Sequence, residues 1–415
     1  MSGSNLRLAL PSDLEALVDL ETRAMHFPMG HRVREWFRDD HPNVRIEHIA
    51  VVERDGKLVA AAALLPGSLL YRGIPFRSAH WDAVVTDDHE RRQGHCRALF
   101  DFLTSRSKAD CLLVEGLTWL YRRFGYYPAI QNHGGCNSGG RIGRVADFPP
   151  TALQTRPAAF EDIPLLQTLR QQATGRYVVG TPVSEAAWRH AIRHDRTVVG
   201  RGETGLNKWE EIRLLVRKDE PVGFYMHDPW DIALLMELEI LPGATTWREA
   251  GATAVHATGE FGGQREVKAV LPESHPLFSV YPCSFGPPAR AASDWTVRIP
   301  HLAGFLAKVA SALERTLDAS HMAGWTGDLT LSRIEDAVQI SFKDGRITGV
   351  EPWRPERPEE ARLRLTPGRF EALVFGYRSL DAILAEDADC SVADEEAEAL
   401  VRALFPPGDS FVRMV

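Results

Sequence analysis

The pattern of apolar and polar positions divides the chain into short alternating strands and amphipathic helices. Leu6, Leu8 and Leu10 alternate with polar residues and predict a first strand. Pro11-Ser12-Asp13 then opens a helix with Leu14, Leu17, Val18 and Glu21 on successive turns, and Ser12 with Glu15 reads as its capping box. From His48 to Ala63 two apolar runs meet at Asp55-Gly56, a strong hairpin signal. A further strand is predicted near His80–Thr86. A charged turn follows, then a helix bearing Ala98, Leu99, Phe102 and Leu103, and a short strand over Cys111–Glu115.

At Phe148-Pro149-Pro150 the pattern breaks and begins again. Arg156, Asp162, Ile163, Leu166 and Leu169 each stand 149 positions after Arg7, Asp13, Leu14, Leu17 and Leu20. A second hairpin, Ile212–Met226, turns at Asp219-Glu220, and a third apolar strand spans Leu234–Leu241. Three elements recurring in one order predict two copies of one α+β unit. From about Pro300 the pattern changes. Leu302–Leu317 is an amphipathic helix, Asp328–Ile340 is strand material and Ser341–Val350 is a hairpin around Asp344-Gly345. Pro367–Leu384 and Ala393–Leu404 read as two helices, with a proline- and arginine-rich linker at Pro352–Pro358. The expected fold class is α+β, divided at residues 1–150, 151–299 and 300–415.

Composition narrows the class of partner. At 415 residues, 44% apolar and 25% charged, the chain suits two or three globular domains and excludes a disordered or fibrous protein. No run of about 20 apolar residues is present to span a bilayer, and the opening MSGSNLRLAL lacks the pattern of a secretory signal. A cytoplasmic protein is expected. The net charge of −8 argues against a nucleic-acid binder. Five scattered cysteines form no CxxC pair, and no HExxH occurs, so no metal is expected; His89, His95, His133 and Cys136 read as surface or core residues.

The candidate chemistry lies in Ala83–Leu99, a strand, a polar turn containing Arg91-Arg92-Gln93-Gly94-His95-Cys96, and a helix. Main-chain N–H groups at a helix start lack internal partners and carry the positive end of the dipole, so they suit a diphosphate. Gly94 lets such a ligand approach without a Cβ, and Arg91 and Arg92 add charge. The same pattern also describes a charged loop capping a surface helix. The aromatic turn Trp119–Tyr127, closing at Gly125, reads by itself as core packing.

Together these segments resemble the GNAT acetyltransferase superfamily. Arg91-x-x-Gly94-x-Cys96 is similar to its pyrophosphate signature, with Cys96 in place of the usual Gly or Ala. Tyr121-Arg122-Arg123-Phe124-Gly125-Tyr126 is similar to its tyrosine-bearing segment. With the duplicated unit and a C-terminal unit containing Asp328-Leu329-Thr330-Leu331 and Phe342-Lys343-Asp344-Gly345, the whole chain resembles the enhanced-intracellular-survival (Eis) N-acetyltransferases.

The resemblance implies two tandem GNAT folds followed by a sterol-carrier-like domain. It implies acetyl-CoA as co-substrate, held by Ala83, Val84, Val85 and by Arg91, Arg92, Gln93, Gly94, His95 and Cys96. It assigns Tyr126 as the general acid and the α-carboxyl of Val415 as the base; Glu115 and His80, both near predicted strand ends, are the alternative bases the sequence itself offers. The acceptor implied is a primary amine of a polyamine- or aminoglycoside-like molecule, in a pocket including His26, Phe27, Trp36 and Glu115. The implied assembly is a homohexamer. The middle copy, which has Pro242-Gly243-Ala244-Thr245-Thr246-Trp247 after its third strand, lacks the signature and is expected not to bind acetyl-CoA. Two other readings stand beside this one: acylation of a protein lysine or natural-product intermediate, and a lipid carrier built on the C-terminal unit.

Overall fold

The computed structural model describes residues 4–25, 30–38, 41–131, 139–195, 211–228, 233–288, 294–357 and 360–413. The N-terminal stretch contains β1 (Ser4–Leu8), α1 (Leu14–Met25), α2 (Gly30–Trp36), β2 (Ile49–Arg54), β3 (Lys57–Tyr71) and β4 (Ile74–Thr86). It continues through α3 (His95–Thr104), β5 (Cys111–Val114), α4 (Thr118–Tyr121), β6 (Tyr127–Gln131) and β7 (Arg141–Arg144). The middle stretch holds β8 (Gln154–Pro157), α5 (Ile163–Thr174), β9 (Val179–Gly180), α6 (Glu185–Asp195), β10 (Glu211–Arg217) and β11 (Glu220–Asp228). After these come β12 (Leu234–Ile240), α7 (Trp247–Gly262), β13 (Glu266–Ala269), α8 (Pro276–Val280) and β14 (Asp294–Arg298). The C-terminal stretch runs α9 (Leu302–Asp318), β15 (Gly327–Ser332), β16 (Ala337–Lys343), β17 (Arg346–Trp353) and β18 (Leu363–Arg364). It ends with α10 (Arg369–Val374), α11 (Leu380–Glu386), β19 (Ser391–Val392) and α12 (Glu395–Leu404).

These strands form three mixed sheets. The first has the order β1-β2-β3-β4-β5-β14-β6, with β9 on the free end of β3. The second has the order β8-β10-β11-β12-β13-β7, and the third β17-β16-β15-β18-β19. In the first two sheets the sense of pairing is the same strand by strand: antiparallel throughout, except for one parallel pair, β4–β5 or β12–β13. The sixth strand of each comes from elsewhere. β14, from the end of the middle stretch, lies between β5 and β6, while β7, from the N-terminal stretch, pairs with β13. The boundaries expected at 150 and 299 both fall between strands, but strands are exchanged across the one at 150 in both directions.

The recurrence at 149 residues is physical. Arg7 Nη1 donates to Asp13 Oδ2 at 2.6 Å, and Arg156 Nη1 donates to Asp162 Oδ2 at 2.7 Å. Asp13 also accepts from Leu10 N at 2.7 Å, and Asp162 from Ala159 N at 2.8 Å. Each carboxylate thus fastens the strand to the turn that starts the helix. Asp13, and not Ser12, closes the first one. Replacing Asp13 by alanine leaves the Leu10 N–H unmatched and Arg7 with Glu53 alone, an expected loss of about 2 kcal/mol, read as a lower midpoint in thermal unfolding. The Arg7 hydrogen bond holds the Asp13 carboxyl below its ordinary value. This stabilisation is therefore full above a pH of about 4 and is lost as pH falls through the depressed folded value.

Turn chemistry sets the hairpins. Asp55 and Gly56 have φ of 50° and 75°, and Asp344 and Gly345 have 50° and 76°, the left-handed pairs a two-residue hairpin demands. The middle hairpin turns one residue earlier than its sequence suggests, at Lys218 (49°) and Asp219 (66°). The stretch 367–384 is two helices rather than one, because Gly376 at φ 70° ends the first.

The first sheet has an apolar layer on each face. Leu99, Phe100 and Leu103 of α3 cover one with Trp81, and α1 and α2 cover the other with Leu17, Leu20 and Trp36. The distal half of the first sheet shares its core with the C-terminal stretch. Phe76 meets Phe305 edge-on at 5.5 Å, and Tyr71 meets Phe375 at 6.3 Å. No helix among the described residues is long and apolar enough to cross a membrane.

Candidate active site

The site starts from unequal pairing of β4. β3 follows β4 to its end, with Ala60 opposite Thr86, whereas β5 pairs only from Ser78↔Cys111 to Trp81↔Val114. Beyond Trp81 the two parallel strands part, leaving a wedge bordered by the main chain of residues 82–86. A bulge sits at its mouth. Asp82 faces Ala63 and Val85 faces Ala61, so Ala83 and Val84 together oppose Ala62, with Ala83 at φ 48°. Asp82 Oδ1 accepts from Ala83 N at 2.7 Å and holds the bulge. The main chain at Ala83–Val85 is therefore presented to the wedge, as an extended ligand arm needs for strand-like hydrogen bonds.

Past Thr86 the chain reaches the loop singled out in the sequence. Arg92 and Gly94 both take left-handed backbone, φ 65° and 86°, and Gly94 is the N-cap of α3 with no side chain capping the helix. Among the described residues no acceptor takes the main-chain N–H groups of Arg91 to Arg97; Ala98 N, bonded to Gly94 O at 3.0 Å, is the first to be satisfied. The result is a concave row of unsatisfied donors at the positive end of a helix. Nothing lies within 4 Å of where a Cβ on Gly94 would be, so the space above it is open. The loop is braced from behind: Arg54 Nη1 donates to Glu90 Oε2 at 2.8 Å, as does Gln93 Nε2 at 2.9 Å. Arg91, exposed, pairs with Asp88 at 2.6 Å. His95 is buried beneath the loop, its Nε2 3.7 Å from Glu90 Oε2. Cys96 is half-buried, and burial pushes its thiol up to about 11.

The two tyrosines of the aromatic turn part company. Tyr126 is fully buried; its hydroxyl accepts from Trp81 Nε1 at 2.5 Å and its ring meets Phe100 edge-on at 6.1 Å. Burial raises its phenol further still above the ordinary value. It packs under α3, its oxygen accepting from the indole of Trp81. Tyr121, read as core in the sequence, lies over Gly116 at the end of β5, its ring 3.4 Å from where a Cβ there would stand. Burial pushes its phenol up to about 12, and Cys96 and Asp82 add negative potential. Those neighbours place Tyr121 between the wedge and the start of α3. The one signal available was its place at the end of a helix leading into the turn.

Of the expected acceptor residues, Trp36 is buried on α2 beneath the face opposite α3, and Glu115 is half-buried at the exit of β5. His80 and Asp82 project on the α1 side of β4, 4.0 Å apart. His26, Phe27, His133, Cys136 and Val415 lie outside the described residues. The last described residue, Arg413, is buried; its N–H donates to Thr181 Oγ1 at 3.0 Å and its guanidinium to Met236 O at 2.9 Å. No group of three metal-binding side chains occurs among the described residues.

The middle unit shows what closes such a site. Its equivalent helix, α7, is capped by its own Thr246, whose Oγ1 accepts from Glu249 N at 3.1 Å. Glu249 is in turn tied to Arg217 and Thr245. In the second sheet β12 and β13 pair only at Leu234↔Lys268 and Leu235↔Ala269, and the space beyond is filled by buried His275, hydrogen-bonded to Leu238 O at 3.0 Å. Burial lowers that imidazole to about 3, so it stays neutral.

A wedge in a mixed sheet, topped by uncapped amides at a helix start, suits an extended ligand arm that ends in a diphosphate. Residues 5–129 match the family described as an acetyltransferase (GNAT) domain. The chain thus carries a GNAT acetyltransferase domain over residues 5–129, a fold that implies the use of acetyl-CoA. Over its whole length the chain shares its fold with solved structures of low sequence identity. A GCN5-related N-acetyltransferase from Anabaena variabilis aligns with TM-score 0.68 and 16% identity over 98% of both chains. A probable N-acyltransferase from Enterococcus faecalis aligns with TM-score 0.69 and 13% identity over 99% of this chain and all of its own. Eis1 from Mycobacterium abscessus aligns with TM-score 0.63 and 14% identity over 98% of both. No curated protein matches the chain in sequence.

Proposed function

We propose that the protein transfers the acetyl group of acetyl-CoA to a primary amine of a small polyamine- or aminoglycoside-like molecule. The observation that carries the donor side is the uncapped row of N–H groups from Arg91 to Arg97 above the β4–β5 wedge. The diphosphate sits on those amides, and the pantetheine arm runs along Ala83–Val85. The middle unit is a second, degenerate GNAT fold, in keeping with its capped helix and filled wedge. The C-terminal unit is sterol-carrier-like, and the assembly follows the hexamer of Eis proteins. The lipid-carrier alternative has less support, since Phe305, Phe370, Phe375 and Phe405 fill the interior of that unit.

In the transfer, the amine nitrogen bonds to the carbonyl carbon and the carbon–sulfur bond breaks. The departing sulfur takes a proton, and we assign Tyr121 rather than Tyr126 as its donor, because only Tyr121 stands beside the wedge. A phenol kept protonated by burial is a competent acid toward a thiolate whose ordinary pKa is about 8.5. For the proton leaving the amine the chain offers His80, backed by Asp82, and the α-carboxylate of Val415.

The test is thiol release from acetyl-CoA against a panel of polyamines, aminoglycosides and lysine peptides. Turnover with a small polyamine or aminoglycoside is expected; turnover with the peptides alone would transfer the reading to protein acylation.

A further inference from the structure

On the outer side of α3, away from the β4–β5 wedge, a cleft of about 470 Å3 separates the N-terminal unit from the C-terminal one. Three arginines from three different elements line it: Arg97 of α3, Arg123 of the aromatic turn and Arg298 at the end of β14. None has a carboxylate partner among the described residues. Arg97 reaches the carbonyl of Arg123 at 3.5 Å and lies over Phe124, and Arg123 lies over Trp119. Arg298 passes Gly125, whose missing Cβ leaves 3.7 Å to the arginine stem.

The floor is different in kind. Arg333 is neutralised there by Asp336 at 2.7 Å and by Glu371 at 2.5 Å. Glu371 is buried, and its second oxygen, Oε2, has no hydrogen-bond partner. Burial raises the Glu371 carboxyl above its ordinary value, against the lowering effect of Arg333. Asp101 and Glu335 also border the cleft, but as exposed groups at the rim.

We propose that this cleft binds a small phosphate monoester, its phosphate held by Arg97, Arg123 and Arg298, at a site separate from that of the acyl donor. Guanidiniums supplied by three elements around one cleft can reach a tetrahedral dianion from different sides through paired N–H···O bonds. The volume falls in the range of small-ligand sites, roughly 300–1,000 Å3, and exceeds what a bare oxyanion fills. Phe124, Ile299 and Pro300 supply apolar wall for the rest of the ligand. The occupant touches Arg123 and Gly125, in the turn that follows Tyr121, and so bears on the transfer site through one short segment.

The test is calorimetric titration of the full chain with glycerol 3-phosphate and with inorganic phosphate, with and without saturating coenzyme A. Binding is expected to persist with coenzyme A present and to persist in Gly94→Glu. It should weaken about tenfold or more in Arg298→Gln and recover in part in Arg298→Lys. The monoester should bind more tightly than phosphate. Displacement by coenzyme A, loss in Gly94→Glu, or undiminished binding in a folded Arg298→Gln would each overturn the separate site. The first two would assign the anion to the donor loop, and the donor reading itself would stand.

Discussion

Replacing Gly94 by glutamate abolishes acetyl-CoA binding, an expected loss of more than about 100-fold in affinity. Two effects act together. At φ 86° any side chain strains the backbone, at a cost of roughly 1–2 kcal/mol. The carboxylate then stands over amides that otherwise receive a diphosphate, repelling it and offering those N–H groups a rival acceptor. Calorimetry should show one site per chain in the wild type and none in the variant. Two sites in the wild type would contradict the closure of the middle unit by Thr246 and His275. A Gly94→Ala variant separates the effects, since it keeps the strain and removes the charge.

The second large effect is expected at Tyr121. Tyr121→Phe should lower kcat about 100-fold with little change in KM, because the proton it donates matters only as the carbon–sulfur bond breaks. Tyr126→Phe should do the reverse: it removes the acceptor for Trp81 Nε1, lowering thermal stability and leaving kcat near that of the wild type. Unchanged kcat in Tyr121→Phe would remove it from the mechanism. The pH profile provides a further check. With its phenol pushed up to about 12, Tyr121 keeps its proton through the working range and loses it only as pH rises through that value. An alkaline fall in kcat below a pH of about 11 therefore belongs to another group.

Much of the fold is legible in the sequence where local chemistry decides it. Asp55-Gly56 and Asp344-Gly345 declare their turns because few residue pairs accept two left-handed conformations. The Arg7–Asp13 and Arg156–Asp162 spacing recurs because each pair satisfies an equivalent turn N–H. The loop proposed for the diphosphate is legible for the same reason: an uncapped helix start after a strand needs Gly at one position. What is not legible is set by distant partners. Tyr121 and Tyr126 look alike in sequence, and only Trp81, 45 positions before Tyr126, decides which hydroxyl is spoken for. The Arg97–Arg123–Arg298 cleft joins residues brought together by three separate elements. The exchange of β7 and β14 leaves no periodic trace, since both are short strands with ordinary patterns.

That exchange has a consequence for how the enzyme comes into being. The sheet that carries the transfer site lacks the strand between β5 and β6 until Asp294–Arg298 has been made. At a synthesis rate of about 5–20 residues per second, that strand emerges on the order of ten to thirty seconds after β6. Throughout that interval two unpaired strand edges are open to water and to neighbouring chains on the same message. The nascent enzyme is thus most exposed to aggregation or to chaperone capture after its GNAT-matching segment has been made, and a fragment ending near residue 150 inherits that exposure permanently.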